Sequence, residues 1–299
     1  MSDDLFPGFD TRRIQTFGAE IALRVGGEGP PILLLHGYPQ SHAMWHRMAP
    51  ALAEHFTVVA ADLRGYGDSS CPPNDPDNFT FSKRAMAQDM IRVMEEVGHT
   101  LFAVAGHDRG GRVAYRMALD APERVERLAV LDIVPTHAMW HDLTMQKAMT
   151  IYHWLFLAQP EPLPEMLIGR APVDYQSYTL ASWTKTRDLA AFDPRALDAY
   201  RRFFSEPEHI AAACNDYRAG QTYDLGADQA DFDAGRRITC PLLALWGNAG
   251  VPDKMGSPLD TWQKWATDVR GQAIDSGHFL AEENPAATLD ALLAFLRES

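Results

Sequence analysis

Short apolar runs separated by amphipathic stretches set the pattern of this chain. Pro31–Leu35 (PILLL) and Thr57–Ala61 (TVVAA) are brief apolar runs and predict buried strands. Ser82–Val97 follows a different period: Met86, Met90, Val93, Met94 and Val97 recur at spacings of three and four, and Gly98 follows as a stop. That stretch predicts an amphipathic helix. Leu101–Gly106 returns to a buried strand, Gly110–Leu119 to a helix ending before Pro122, and Arg127–Asp132 to a strand. Further on, Pro241–Trp246 and Gln272–Asp275 predict two more strands, and Pro285 opens a last helix with Leu289, Leu292, Leu293 and Leu296 on one face. Strands alternating with helices predict an α/β fold, a mostly parallel central sheet flanked by helices.

One stretch breaks this alternation. After Pro135 the pattern is helical and rich in Trp and Tyr, so residues 138–233 are expected to form an inserted helical cap on a core made of residues 1–137 and 234–299. The insert holds Trp140, Trp154, Trp183, Tyr152, Tyr175, Tyr178, Tyr200, Tyr217 and Tyr223. Large side chains pack a thin helical layer, and their polar tips also suit the roof of a pocket.

Composition removes several classes. Of 299 residues, 46% are hydrophobic and 22% charged, which is ordinary globular usage and excludes disorder and fibrous repeats. No apolar run approaches the ~20 residues that cross a bilayer. With 27 Lys+Arg against 40 Asp+Glu the formal charge is −13, and no basic cluster is present to hold nucleic acid. Cys71, Cys214 and Cys240 show neither disulfide-framework nor zinc spacing. Met1–Arg13 is acidic and broken by Pro7 and Gly8, unlike a signal peptide, so a cytoplasmic location is expected.

The chemistry begins at Gly106-His107-Asp108-Arg109-Gly110-Gly111, where a strand turns into a helix. This matches the nucleophile-elbow pattern G-x-Nuc-x-G with aspartate as the nucleophile, although Asp at such a turn also serves simply as a helix cap. Upstream, His36-Gly37-Tyr38-Pro39 follows a strand at the place where enzymes with this elbow complete an oxyanion hole, which puts the oxyanion region at Tyr38 and Arg109. Downstream, Ser276-Gly277-His278-Phe279 follows the last strand. Three motifs in this order predict the α/β-hydrolase fold. An aspartate is ionised at neutral pH and attacks carbon without help; the resulting ester needs a base to be hydrolysed, and His278 is the candidate. Its acid partner is Asp132, at the end of a predicted strand, or Asp253; the W-G-x-x-D spacing would put an acid at position 250, which is Gly250. Arg109 and Arg112 sit in the first turn of a helix, where positive charge is unfavourable. A carboxylate substrate would account for them, as would ion pairs with nearby acids. On a chain of charge −13, attraction for a small anion has to be local.

With GHDRG at 106–110 and Arg112, LDIVP at 131–135, YHW at 152–154, DYRAG at 216–220 and SGHF at 276–279, nearly the whole chain resembles the fluoroacetate dehalogenases, α/β-hydrolases that displace fluoride from fluoroacetate. LFPGF at 5–9 and FLAQP at 156–160 extend the resemblance. It implies that Asp108 is the nucleophile, His278 the base and Asp132 its acid partner. It further implies that Arg109 and Arg112 hold the substrate carboxylate and that His153, Trp154 and Tyr217 bind the departing halide. A homodimer without cofactor or metal is also implied. Tyr38 departs from the phenylalanine of the family, which bears on pocket size and polarity.

Two other readings compete with hydrolysis of a short 2-haloacid. An epoxide hydrolase shares the Asp, the His and H-G-x-P but takes a neutral substrate, against which Arg109 argues. A non-catalytic ligand receptor on the same fold would have no need of the Asp108–His278 pair. His42 and His46, four apart with no evident third ligand, are expected on an exposed helix face.

Overall fold

The computed structural model describes residues 4–141, 143–254 and 256–298. Eight strands form one sheet: β1 (Asp10–Gln15), β2 (Glu20–Gly26), β3 (Pro31–Leu35), β4 (Thr57–Ala61), β5 (Phe102–His107), β6 (Val125–Leu131), β7 (Leu242–Gly247) and β8 (Val269–Ile274). Their spatial order is β1-β2-β4-β3-β5-β6-β7-β8. β1 pairs antiparallel with β2 and β2 antiparallel with β4, whereas every later pairing is parallel. β3 and β4 have the predicted bounds. The first two strands were not predicted: β1 lies at the edge with nearly every side chain exposed and carries no apolar run, and in the mostly buried β2 Glu20 and Arg24 interrupt the apolar pattern. β8 begins three residues before its predicted start, its outer positions being exposed and polar.

The helix Lys83–Val97 is capped by the Ser82 side chain, which accepts from Ala85 N–H, and stopped by Gly98 in the left-handed region at φ 103°. Between β6 and β7 the described chain is helical, beginning at Thr136–His141 and ending at Leu225–Asp233. The core lies on both faces of the sheet, with Leu33, Leu34, Val59 and Ala105 fully buried. His42 and His46 do not lie on an exposed helix face. His46 is buried and His42 Nδ1 lies 2.9 Å from Asp62 Oδ1, because the short helical turn His42–Trp45 folds back over the end of β4. Among the described residues no helix is long and apolar enough to cross a membrane.

The parallel register has one consequence for chemistry. The residues that follow β3, β5, β6 and β8 all emerge at the carboxyl edge of the sheet, the edge where open α/β sheets place their ligands. These are His36–Pro39, Asp108, Asp132 and Ser276–His278.

Candidate active site

Asp108 opens the helix Asp108–Asp120 directly from β5, with φ +46°, a left-handed conformation that costs a non-glycine residue of order 1–3 kcal/mol. The turn closes only because its neighbours lack side chains. A Cβ at Gly106 would lie 2.4 Å from the Gly110 carbonyl oxygen, and one at Gly110 would lie 2.4 Å from that of His36. The tightness pushes the Asp108 carboxylate toward the strand edge, where Tyr38 N–H donates to its Oδ1 at 2.9 Å. Burial alone would raise the Asp108 pKa. The positive charges of His278, Arg109 and Arg112 outweigh it, and the carboxyl is held below its ordinary range.

His278 Nε2 stands 3.9 Å from Asp108 Oδ2, too far for a direct hydrogen bond and suited to a water between them. On the other side of the ring, Nδ1–H donates to Asp132 Oδ2 at 2.6 Å, while Asp132 Oδ1 accepts Gly247 N–H at 2.9 Å. The bond to Asp132 fixes the tautomer and turns the unprotonated Nε2, which has no partner among the described residues, toward Asp108. Burial opposes charge on His278, but the hydrogen bond and charge of Asp132 prevail and raise its pKa above the ordinary imidazole value. Asp253 is exposed and accepts from Trp246 Nε1 at 3.1 Å; it does not meet His278. Position 250 explains the choice between the two acids. A Cβ on Gly250 would lie 2.4 Å from Asp132 Oδ1, so glycine there leaves the space that the Asp132 carboxylate fills. Gly250→Ala is expected to displace Asp132 and lower turnover by about 10²-fold with the fold intact, measurable as kcat beside an unchanged circular dichroism spectrum.

The two arginines differ. Arg109 is 1% exposed and its guanidinium grips the fully buried Asp216, through Nε at 3.1 Å to both carboxylate oxygens and through Nη2 at 2.8 Å to the Asp216 carbonyl. Its Nη1 has no partner among the described residues. Arg112 donates through Nη1 to Val134 O at 2.9 Å and Thr136 Oγ1 at 3.2 Å, leaving Nε unpartnered. Aromatic faces hold both: Arg109 Cζ lies 4.2 Å from the Tyr217 ring centre and Arg112 Cζ 4.5 Å from that of Trp154. His153 Nδ1 and Tyr217 OH are buried and also lack partners among the described residues. Such orphaned donors are costly unless a ligand satisfies them.

Asp108, Arg112, Asp132, His153, Trp154 and His278 all line one cavity, of which about 40 Å³ is open to the centre of a water molecule. Arg109 and Tyr217 are not among its lining residues; both stand against Trp154. Around His278 a wider mouth of about 520 Å³ opens past Trp183 and Gly250; Arg187, Lys254 and Lys185, which pairs with Asp275, line it, and among the described residues no acidic side chain does.

Sequence reasoning missed what stands behind Arg109. Lys83, 1% exposed, pairs with Asp216 and lies 3.5 Å from Asp224 Oδ2, and Tyr66 OH donates to Asp216 Oδ2 at 2.7 Å. Burial pushes the Asp216 carboxyl up, and Arg109 and Lys83 together pull it well below the usual range. A signal existed, since Lys83 is a cation in the first turn of its helix, the same anomaly that singled out the arginines.

The strand order, the aspartate at the elbow and the His278–Asp132 pair beyond the last strands define a class. The family model described as alpha/beta hydrolase fold matches residues 30–285, and the chain belongs to that family of hydrolases. Within it, the chain is 42% identical to a fluoroacetate dehalogenase of Burkholderia sp over 99% of this chain and 96% of the relative. It is 34% identical to a soluble epoxide hydrolase of Corynebacterium sp. (strain C12) over 90% of this chain and 91% of the relative. A crystal structure of an alpha/beta hydrolase from Nostoc sp PCC 7120, 50% identical, superposes with a TM-score of 0.95 over 97% of this chain and 99% of that one.

Proposed function

We propose that the protein is a haloacetate dehalogenase, converting a short 2-haloacid such as fluoroacetate or chloroacetate to glycolate and halide. The observation that carries this reading is Arg112, with its free Nε, on the wall of a cavity of about 40 Å³ beside the Asp108 carboxylate. A guanidinium next to an anionic nucleophile suits a substrate that is itself a carboxylate, and the narrow cavity favours a short one. In this mechanism Asp108 attacks the carbon bearing the halogen, forms an ester and expels halide. His153 and Trp154 donate hydrogen bonds from the cavity wall to the developing halide charge, and Tyr217, packed against both rings, holds them there. Water held between His278 Nε2 and the ester then gives its proton to His278 and its oxygen to the acyl carbon, which frees glycolate; Asp132 stabilises the imidazolium. Arg112 carries most of the carboxylate recognition, because Arg109 spends its charge on Asp216 and offers only Nη1. Arg187 and Lys254 at the mouth add to the local attraction that an acidic protein otherwise denies an anion.

The test is halide release from fluoroacetate and chloroacetate, run beside diol formation from a styrene-type epoxide. Halide without diol is expected, and diol without halide would establish the epoxide hydrolase reading in its place. The pH dependence separates the two chemical steps. Ester formation needs ionised Asp108, whose pKa is lowered, so it persists in acid. Ester hydrolysis needs neutral His278, whose pKa is raised, so it fails as pH falls through a value above the ordinary imidazole range. Steady-state kcat is therefore expected to fall first on the acidic side while rapid-quench samples show ester accumulating; a fall in kcat without ester would place the titration on the first step.

A further inference from the structure

Away from the catalytic cavity, Cys71, Glu208 and His209 bring a thiol, a carboxylate and an imidazole together, with their ligating atoms all within 4.8 Å of one another. Cys71 lies in the loop between β4 and the helix Lys83–Val97, and Glu208 and His209 lie in the first turn of the helix Pro207–Ala219. Cysteine spacing along the chain shows no metal motif, because the ligands come from elements 138 residues apart. Cys71 Sγ is 3.2 Å from His209 Nδ1, close to the ~3.5 Å that separates a sulfur and a nitrogen ligand on a tetrahedral zinc ion. His209 Nδ1 also lies 3.0 Å from the Gly65 carbonyl oxygen, so the ring is held in place by the loop it faces. His209 is buried, Cys71 half-buried and Glu208 exposed, which leaves the carboxylate on the side open to solvent.

The charges favour a cation. The Glu208 carboxylate puts a negative charge beside the Cys71 thiol and the His209 imidazole. The carboxylate that opposes a bare thiolate attracts a divalent ion, and such an ion reverses the balance by holding the thiolate directly.

We propose that Cys71, Glu208 and His209 form a binding site for a zinc-class divalent cation, with water completing a tetrahedral set. Thiolate and imidazole select zinc or cobalt over magnesium and calcium, which take oxygen ligands. On binding, the Cys71 thiol loses its proton to solvent, and His209 Nδ1 exchanges its contact with the Gly65 carbonyl for the ion, with the ring proton on Nε2. The ion clamps the loop after β4 to the helix Pro207–Ala219, at a junction already tight enough that a Cβ on Gly65 would lie 2.6 Å from Ala212 Cβ. Asp216 and Tyr217 belong to that same helix, about 10 Å along its axis from His209. The clamp acts on stability and holds whatever substrate the enzyme takes.

Cobalt(II) is the probe, added to the full-length protein stripped of metal. The wild type is expected to take up one cobalt per chain with a thiolate-to-cobalt charge-transfer absorption that zinc abolishes, and zinc is expected to raise its melting temperature. Cys71→Ser should lose the band and the zinc-induced rise, and Glu208→Gln, a change at an exposed side chain, should weaken cobalt affinity by about tenfold. Absence of the band in the wild type would overturn the site. So would an unchanged band in Cys71→Ser, which would move the ligand to Cys214 or Cys240, or an unchanged affinity in Glu208→Gln.

Discussion

His278→Asn is expected to reduce steady-state turnover by about 10²–10⁴-fold while leaving an ester on Asp108, visible as a mass increase of the intact protein after incubation with an accepted haloacid. The asymmetry follows from the geometry. Asp108 needs no base to ionise at neutral pH, Arg109 and Arg112 still favour its charge when His278 is gone, and its Oδ1 is already oriented by Tyr38 N–H at 2.9 Å. Formation of the ester therefore survives loss of the imidazole. Its hydrolysis does not, because Nε2, 3.9 Å from Asp108 Oδ2, is the base placed to take a proton from water between them. Asparagine keeps a polar side chain against Asp132 but carries no base. Turnover lost without any adduct would show that His278 is also required for the first step and would overturn this division of labour.

Asp216→Ala is expected to destabilise the protein by about 3–5 kcal/mol in urea unfolding, the range for breaking a buried ion pair by removing one partner. Asp216 is fully buried and faces two cations, Arg109 and Lys83, each 1% exposed. Without it Arg109 is left as an uncompensated charge in the interior and loses the contacts that orient it, and Lys83 keeps only Asp224, at 3.5 Å. Removing one of the stranded cations should restore part of the loss, so the double variant Asp216→Ala/Lys83→Met is expected to be more stable than Asp216→Ala alone. A single-variant loss below about 1 kcal/mol, the range of exposed pairs, would mean that water reaches this network and screens it.

The two effects differ in how well the sequence announces them. Asp108 and His278 lie in short motifs beside strands, and those strands could be placed from period alone, since β3 and β4 are buried on both faces and appear as unbroken apolar runs. β1 escaped the same reading because its side chains face water, and burial is what writes a strand into a sequence. Asp132 and Asp253 could not be separated by spacing. The free space beside Gly250 and the 2.6 Å contact with His278 separate them, and both are distances between loops. His42 and His46 looked like an exposed pair because helical spacing says nothing of which face is covered, and the turn that carries them folds onto Asp62.

Local sequence therefore determined the order of strands and helices, the aspartate at the turn after β5 and the histidine after β8, because propensity, period and turn chemistry act over a few residues. Tertiary structure alone decided which charges neutralise one another. Two arginines three residues apart share one helical turn, yet Asp216, 107 residues away in the chain, takes the charge of Arg109 and leaves Arg112 to line the cavity. The partners of a buried charge are chosen by proximity in a medium of low dielectric constant, and proximity between distant segments exists only once the chain has folded.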